Sequence, residues 1–260
     1  MRTTRSRPAR LFAFAALLGA VAAATAGCVT TQGPQATGSL AGAPPPEQQN
    51  ADIAMLARQY RANPNDANIA LRYAAALRAN DQHAQAVAVL QRAAMMHPHN
   101  NALLGEYGRA LAEIGDYQQA FTVLSHAHSP DQPDWRILSA QGAALDQMGR
   151  HNEAQRYYLT ALKIVPNEPS VLSNLGLSYA LTHNLTDAEL VLRRAVAQHP
   201  ADPRVQQNLA LVVGLQGRFA EAETIARADL PPERAAANVA YLRQMLAKQS
   251  GAPKPSLTAR

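Results

Sequence analysis

Residues 169–202 read PSVLSNLGLSYALTHNLTDAELVLRRAVAQHPAD, and their pattern recurs at a constant spacing along the chain. Consecutive segments begin at Ala67, Asn101, Trp135, Pro169 and Pro203. The eighth position of a segment is always small, at Ala74, Gly108, Gly142, Gly176 and Ala210. The twentieth position is always alanine, at Ala86, Ala120, Ala154, Ala188 and Ala222. Small residues at these two positions predict two helices per segment whose backbones approach closely.

Larger residues fill the space between the predicted helices. The eleventh position holds Leu77, Leu111, Leu145, Tyr179 and Val213, and the twenty-fourth holds Leu90, Leu124, Tyr158 and Leu192, with Ala226 as the exception. Proline follows the second helix at Pro98, Pro166 and Pro200, where its ring and its missing N–H end a helix. Gly115, Gly149 and Gly217 fall between the two helices, where a turn needs positive φ, and Asn184 is predicted to do the same in the fourth segment.

This spacing resembles the tetratricopeptide repeat, which folds as two antiparallel helices per repeat of about 34 residues. The resemblance implies an all-α solenoid with five repeats over residues 67–232. Residues 51–66 are predicted to be a degenerate leading half-repeat. Residues 233–248 are predicted to form a C-terminal capping helix, which a solenoid needs to cover its last apolar face. Residues 249–260 are predicted to be a disordered tail.

The N-terminus has the pattern of a secretory signal. Arginines occur within residues 1–10, and residues 11–24 form an uncharged apolar stretch, so residues 1–27 are predicted to be a signal peptide. Ala26 and Gly27 directly precede Cys28, the only cysteine, and this junction resembles a bacterial lipobox in which the cysteine is lipidated. Two alternatives remain open at this point: cleavage after Ala26 without lipidation, or retention of residues 11–29 as a membrane anchor.

Residues 28–50 are rich in Gly, Pro, Ser, Thr and Gln and carry one charge, at Glu47. Such a composition predicts a disordered tether, with a reach of roughly 25 Å. Lipoproteins of this type are sorted by the residue after the cysteine. Because Val29 is not aspartate, the resemblance implies an outer-membrane location, on the periplasmic face.

Charge and motifs argue against nucleic-acid binding and catalysis. The formal charge of +5 falls to about +1 without the signal segment, because its four arginines are not balanced by any acid. The sequence has no Gly-rich phosphate loop, HExxH or G-x-S-x-G motif, so no enzyme activity, cofactor or small-molecule substrate is predicted. Two H-x-H pairs, His97 with His99 and His126 with His128, suit helix ends better than a metal site, and no metal is predicted.

In tetratricopeptide proteins, positions 2, 5, 6, 9, 12 and 13 of the first helix line a groove. In repeats one to three these positions include the charged residues Arg72, Arg78, Glu106, Arg109, Glu113, Arg136 and Asp146. In repeats four and five they include Asn174, Leu177, Leu181, Arg204, Asn208, Leu211 and Leu215. The four leucines predict an apolar protein-binding strip beside two asparagines able to bind a peptide backbone. Alternatively, the capping helix or the curvature of the solenoid covers these leucines.

Three stretches of the chain resemble the TadD family, lipoproteins that assist assembly of the tight-adherence (Flp) pilus. They are SNLGLSYALTHNLTDAELVLRRAV at 173–196, NLALVVGLQGRFAEAETIARADLPP at 208–232 and NVAYLRQML at 238–246. The resemblance implies a lipid-anchored scaffold whose partners are a secretin or other pilus assembly proteins, which it helps to assemble as pilotins do. The alternatives are a type IV pilus pilotin of PilF type, or an envelope adaptor that docks peptidoglycan-remodelling enzymes or proteases.

Overall fold

The computed structural model describes residues 46–129 and 131–249, and its regular elements in these ranges are all α-helices. The predicted all-α solenoid is therefore confirmed. None of the helices in the described ranges has the length and apolar character needed to cross a membrane. The predicted signal peptide, Cys28, residues 28–45 of the tether and residues 250–260 of the tail lie outside the described residues.

A leading helix, α1, spans Pro46–Ala62, and ten helices then form five hairpins. The hairpins are α2 Ala67–Ala79 with α3 His83–Met96, α4 Asn101–Glu113 with α5 Tyr117–Ser125, α6 Trp135–Gln147 with α7 His151–Ile164, α8 Pro169–Leu181 with α9 Leu185–Gln198, and α10 Pro203–Leu215 with α11 Phe219–Ala226. A last helix, α12, spans Pro232–Gln249. Each helix packs on its neighbours along the chain, and the first helices of adjacent repeats also touch each other.

Close approach within a hairpin depends on the small residues at position 8. A Cβ added to Gly176 would lie 2.6 Å from Cγ of Leu192 on the opposing helix. A Cβ on Gly142 would lie 2.7 Å from the ring of Tyr158. The alanines at position 20 of every repeat are fully buried. Large side chains of the second helix thus rest directly on the backbone of the first.

The turns between paired helices use the left-handed backbone conformation. Gly115, Gly149 and Gly217 have φ of +87°, +75° and +82°. In the fourth repeat the positive φ of 60° belongs to His183 instead of the predicted Asn184. Asn184 is the N-cap of α9, where its side-chain oxygen accepts from the backbone N–H of Asp187. The prediction placed the turn one residue too late. An asparagine can either adopt positive φ or cap a helix, and here Asn184 is the N-cap.

Every first helix begins after a side-chain cap that also recurs once per repeat. The caps are Asp66, Asn100, Asp134, Glu168 and Asp202, and each accepts a hydrogen bond from a backbone N–H of the helix it precedes. These oxygens satisfy N–H groups that have no partner inside the helix, which stabilises each start by roughly 1 kcal/mol.

The leading helix is longer than the predicted half-repeat. It begins at Pro46, so the predicted tether over residues 28–50 extended too far along the chain. Proline is favoured in the first turn of a helix, which explains a start at Pro46. Ile53 and Tyr60 pack against the core of the first two repeats, and the Tyr60 and Tyr73 rings lie 5.6 Å apart.

At the other end, α12 covers the last hairpin, as its predicted capping role requires. Ala235 and Leu242 are buried, and Val239 packs against the core of the fifth repeat. A Cβ on Gly214 would lie 2.5 Å from Cδ2 of Leu242, so the helix sits directly on the backbone of α10.

Candidate protein-binding groove

The first helices of repeats one to three line a cleft of about 510 Å³, here called the charged cleft. Positions 2, 5, 6, 9 and 12 of α2 and α4 contribute Arg72, Ala75, Arg78, Ala102, Gly105, Glu106 and Arg109 to its lining. Leu90, Ala127 and Ile137, which hold other positions, also line it. Of the charged residues predicted to line a groove here, Arg72, Arg78, Glu106 and Arg109 line the cleft. Glu113, Arg136 and Asp146 are not among its lining residues.

Two of the arginines in the charged cleft, Arg78 and Arg109, form ion pairs with glutamates. Arg78 Nη1 lies 2.7 Å from Glu106 Oε2, and Arg78 also forms an ion pair with Glu113. Arg109 Nη2 lies 2.6 Å from Glu106 Oε1. Burial alone would raise the pKa of Glu106, but the hydrogen bonds and charges of Arg109 and Arg78 together lower it. The Arg78 pairs join α2 to α4, and all three pairs leave less charge free for a ligand.

The four predicted leucines form a block of two by two on neighbouring helices, here called the leucine strip. Leu177 and Leu181 are one turn apart on α8, and Leu211 and Leu215 hold the same repeat positions on α10. Leu181 is 45% exposed and Leu211 is 38% exposed, while Leu177 and Leu215 are half-buried. The structure thus leaves apolar surface open on both helices.

The capping helix does not bury the leucine strip. Its anchoring side chain, Leu242, packs against Gly214, whereas Leu211 stays exposed one turn earlier on the same helix. Leu181, on the next helix away from the cap, is more exposed still. Coverage by α12 therefore does not account for the leucines at these positions.

The two predicted asparagines bridge adjacent first helices. Asn174 Nδ2 donates to Ser139 Oγ at 3.4 Å, and Asn208 Nδ2 donates to Ser173 Oγ at 2.8 Å. An asparagine amide has two donors and an acceptor oxygen, so one such bond leaves it able to bind a peptide group. The two serines were not predicted as groove residues. Because both hold position 5 of consecutive repeats, the repeat pattern could have identified them.

Arg204, the last of the predicted groove residues, stands at the N-terminal end of α10. Its side chain is 85% exposed, and its guanidinium lies 3.5 Å from the carboxylate of Asp202. Such a distant and solvated pair contributes little energy, so the arginine remains available to an anionic partner.

Asp146 was predicted to be a charged groove residue, and the structure places it inside the joint between repeats three and four. Its side chain is only 10% exposed. Its carboxylate accepts hydrogen bonds from Tyr158 Oη at 3.0 Å and Ser178 Oγ at 2.8 Å, and lies 2.8 Å from His151 Nδ1. Burial raises the pKa of Asp146, against the opposing effect of these hydrogen bonds. The buried Tyr158 hydroxyl needs an acceptor, and Asp146 supplies it.

Asp146→Ala is expected to lower the free energy of unfolding by about 1–3 kcal/mol, because the buried hydroxyls of Tyr158 and Ser178 lose their acceptor. Chemical denaturation followed by circular dichroism would measure the change. Adding Tyr158→Phe to Asp146→Ala should recover part of the loss, since one orphaned hydroxyl is then absent. Equal stability of Asp146→Ala and the wild type would contradict a structural role.

One histidine of each H-x-H pair hydrogen-bonds to a neighbouring element. His97 Nε2 lies 2.6 Å from the backbone oxygen of Asn65, and His128 Nε2 lies 3.0 Å from Gln141 Oε1. Within the described residues, no three His, Cys, Asp or Glu side chains are grouped so as to hold a metal ion.

Comparison with known proteins supports the repeat assignment. Two family models described as tetratricopeptide repeat match the chain, one over residues 77–143 and the other over 139–203 and 182–239. Together they cover more than half of the sequence. No curated protein matches the chain.

Solved structures with the same fold include three other repeat proteins. PilF of Pseudomonas aeruginosa superposes with a TM-score of 0.56 at 16% identity, covering 80% of this chain and 86% of that chain. A thermophilic tetratricopeptide protein of Thermus thermophilus gives 0.57 at 21% identity, covering 70% and 98%. MamA gives 0.52 at 18% identity, covering 59% and 90%. At these identities the likeness shows the fold.

Stacked helical hairpins with a concave lining and a capped end define a repeat scaffold that binds other proteins. The chain belongs to the tetratricopeptide-repeat family. Proteins built on this scaffold are typically non-catalytic and act through protein–protein interactions.

Proposed function

We propose that the chain is a lipid-anchored scaffold that assists assembly of a pilus secretion machine, in the manner implied by its resemblance to the TadD family. The observation that carries the proposal is the leucine strip, an apolar surface left open on first helices whose equivalents in repeats one to three line a concavity. The fold shared with PilF, a pilus tetratricopeptide protein, over 80% of this chain supports a pilus-related role.

In this proposal the leucine strip binds an apolar segment of an assembly protein such as a secretin. Full burial of a leucine side chain is worth about 1.5–3 kcal/mol, and a protein complex must also offset the entropy lost on association. A few well-buried leucines therefore suit a transient, chaperone-like complex. Such a complex would shield the partner's apolar segment until it assembles into its own oligomer.

The lipid anchor would hold this scaffold on the periplasmic face of the outer membrane. Acylation at Cys28 supplies membrane affinity of about 0.8 kcal/mol per buried methylene. The segment between Cys28 and α1 then acts as a spacer that keeps the binding surface near the membrane where a secretin inserts.

Cys28→Ser is expected to release the chain from the outer-membrane fraction and to lower the yield of secretin multimers and surface pili. The reason is that serine cannot receive the thioether-linked lipid, so the scaffold no longer concentrates at the membrane. Membrane fractionation, together with affinity capture of tagged full-length protein from detergent-solubilised envelopes, would measure both effects.

Recovery of a secretin and pilus assembly proteins with the wild type, and less with Cys28→Ser, would support the proposal. If the pilus proteins recovered belong to a type IV pilus, the PilF-type assignment replaces the Flp assignment. Recovery of peptidoglycan enzymes or proteases instead would sink the pilus proposal and favour an envelope adaptor. Equal membrane association of both proteins would rule out Cys28 as the anchor.

A further inference from the structure

The last helix has the position of the first helix of a sixth repeat. α12 packs on both α11 and α10, just as α10 packs on both α9 and α8. The sequence NVAYL at 238–242 parallels NLALV at 208–212, and it comes four positions earlier than a full repeat would place it. The shortening has a structural source, because α11 has 8 residues where α9 has 14.

Contacts confirm this register. Position 12 of the third repeat, Asp146, touches position 10 of the fourth, Ser178. In the same way Gly214, at position 12 of the fifth repeat, touches Leu242, which the shortened spacing places at position 10. Ala235 falls at position 3 and is buried, as Val205 is at position 3 of the fifth repeat.

From this register we infer that the binding surface continues from the leucine strip onto α12. Positions 2, 6, 9 and 13 lie on one face of a helix, within about 60° at about 100° per residue. On α8, α10 and α12 these positions form four rows: Ser170, Arg204 and Arg234; Asn174, Asn208 and Asn238; Leu177, Leu211 and Tyr241; Leu181, Leu215 and Met245. We call the four rows the extended surface. Tyr241 is 54% exposed and Met245 is half-buried.

The extended surface has an asymmetric charge. Its four rows contain Arg204 and Arg234 and no acidic residue. Both arginines lie near helix N-termini, whose dipoles add positive potential. Two of the acids at the adjoining helix ends, Glu168 and Asp202, are N-caps whose carboxylates accept backbone hydrogen bonds. A third, Glu233, precedes Arg234 in the first turn of α12 and lies outside the four rows. The charged cleft differs, because its Arg78 and Arg109 are paired with Glu106 and Glu113.

These features select one kind of occupant: an extended segment of a partner protein with apolar side chains along one edge and carboxylates along the other. Packed helices lie about 8–10 Å apart, which matches about three residues of extended chain. The segment should therefore present an apolar residue at about every third position, over the rows that contain Leu211 and Tyr241. Its carboxylates would lie beside Arg204 and Arg234, and its peptide groups beside the asparagine row.

This inference rests on the proposed binding role of the leucine strip, and one experiment separates the two. Random dodecapeptides displayed on phage would be selected against the full-length chain in detergent, and the enriched peptides synthesised. Their affinities would then be measured by fluorescence anisotropy for the wild type, Tyr241→Ala, Arg234→Glu and Leu177→Glu/Leu211→Glu. Arg243→Glu is the matched control, because it makes the same charge change on the opposite face of α12.

We expect the enriched peptides to be acidic with apolar residues about three apart, and Tyr241→Ala and Arg234→Glu to weaken them by about tenfold or more. Arg243→Glu should leave the affinity unchanged. Peptides that lose binding only in the leucine variant would overturn the extension onto α12 and leave the leucine strip intact. Enriched peptides without carboxylates would overturn the proposed chemistry of the partner. Absence of any specific peptide would count against both proposals.

Discussion

A chain carrying Leu177→Glu and Leu211→Glu is expected to lose partner binding by about a hundredfold or more while remaining folded. Each substitution places a carboxylate in the centre of the leucine strip, where binding would have to desolvate it without a countercharge. Interface residues of this central kind cost about 2 kcal/mol or more when lost, and two neighbours together cost more. Titration of the purified partner captured by the wild type would measure the loss.

Leu190→Glu provides the matched control for this loss. Leu190 is exposed on α9, a second helix, and lies outside the leucine strip. This variant should bind the partner as the wild type does, which separates a local effect from the general cost of an added charge. Leu181 is the most exposed leucine of the strip, so Leu181→Glu should disturb folding least. A loss of binding in this variant therefore cannot be explained by misfolding. Unchanged binding in the folded double variant would refute the leucine strip as the binding site.

The second large effect is expected from Gly176→Leu, which should lower the free energy of unfolding by about 1–3 kcal/mol. A single added Cβ would already lie 2.6 Å from Cγ of Leu192, so a whole leucine side chain forces α8 and α9 apart. Because a solenoid is stabilised by contacts between neighbouring repeats, the substitution should also weaken the interfaces of repeat four with repeats three and five. Denaturant unfolding monitored by circular dichroism would measure it.

Ala240→Leu makes a substitution at the same repeat position as Gly176→Leu, on a helix that has no second helix packed over that position in the described part of the chain. Ala240 is the position-8 residue of the sixth half-repeat, and it is exposed in the structure, with no second helix of its own repeat over it in the described residues. Its substitution should change stability by no more than about 0.5 kcal/mol. A large loss at Ala240, or none at Gly176, would show that the repeat register is wrong.

The two halves of the groove differ in how their charges are used. In the charged cleft, Arg78 forms ion pairs with Glu106 and Glu113, so its charge helps to hold α2 against α4. In the fourth and fifth repeats, positions 6, 9 and 13 hold asparagine and leucine where the second repeat has Glu106, Arg109 and Glu113, and Leu181 and Leu211 stay exposed. This contrast is the physical reason for placing the binding function on the C-terminal half of the solenoid.

Much of the architecture can be predicted from the sequence because the residues that define each repeat act within that repeat. Small residues at positions 8 and 20, the glycine turns and the prolines near position 32 act within one hairpin. Their period alone therefore predicted the hairpins. The groove positions followed from the same register, and four of the predicted lining residues, Arg72, Arg78, Glu106 and Arg109, do line the cleft.

The predictions were wrong where a side chain contacts a neighbouring repeat or where the repeat length changes. Asp146 has the repeat position of a groove residue, and only the neighbouring Tyr158 and Ser178 reveal that it is buried. Asn184 and His183 exchange roles within one turn. The groove positions of α12 escaped notice because the short α11 moves them out of the regular period.

The sequence by itself determined the fold class and the residue at which each first helix begins, since these depend on periodic, short-range packing. Only the tertiary structure decided which charges are paired, which leucines stay exposed, and that α12 takes the place of a further first helix. Those properties depend on distances between side chains of different repeats, which no single period in the sequence encodes.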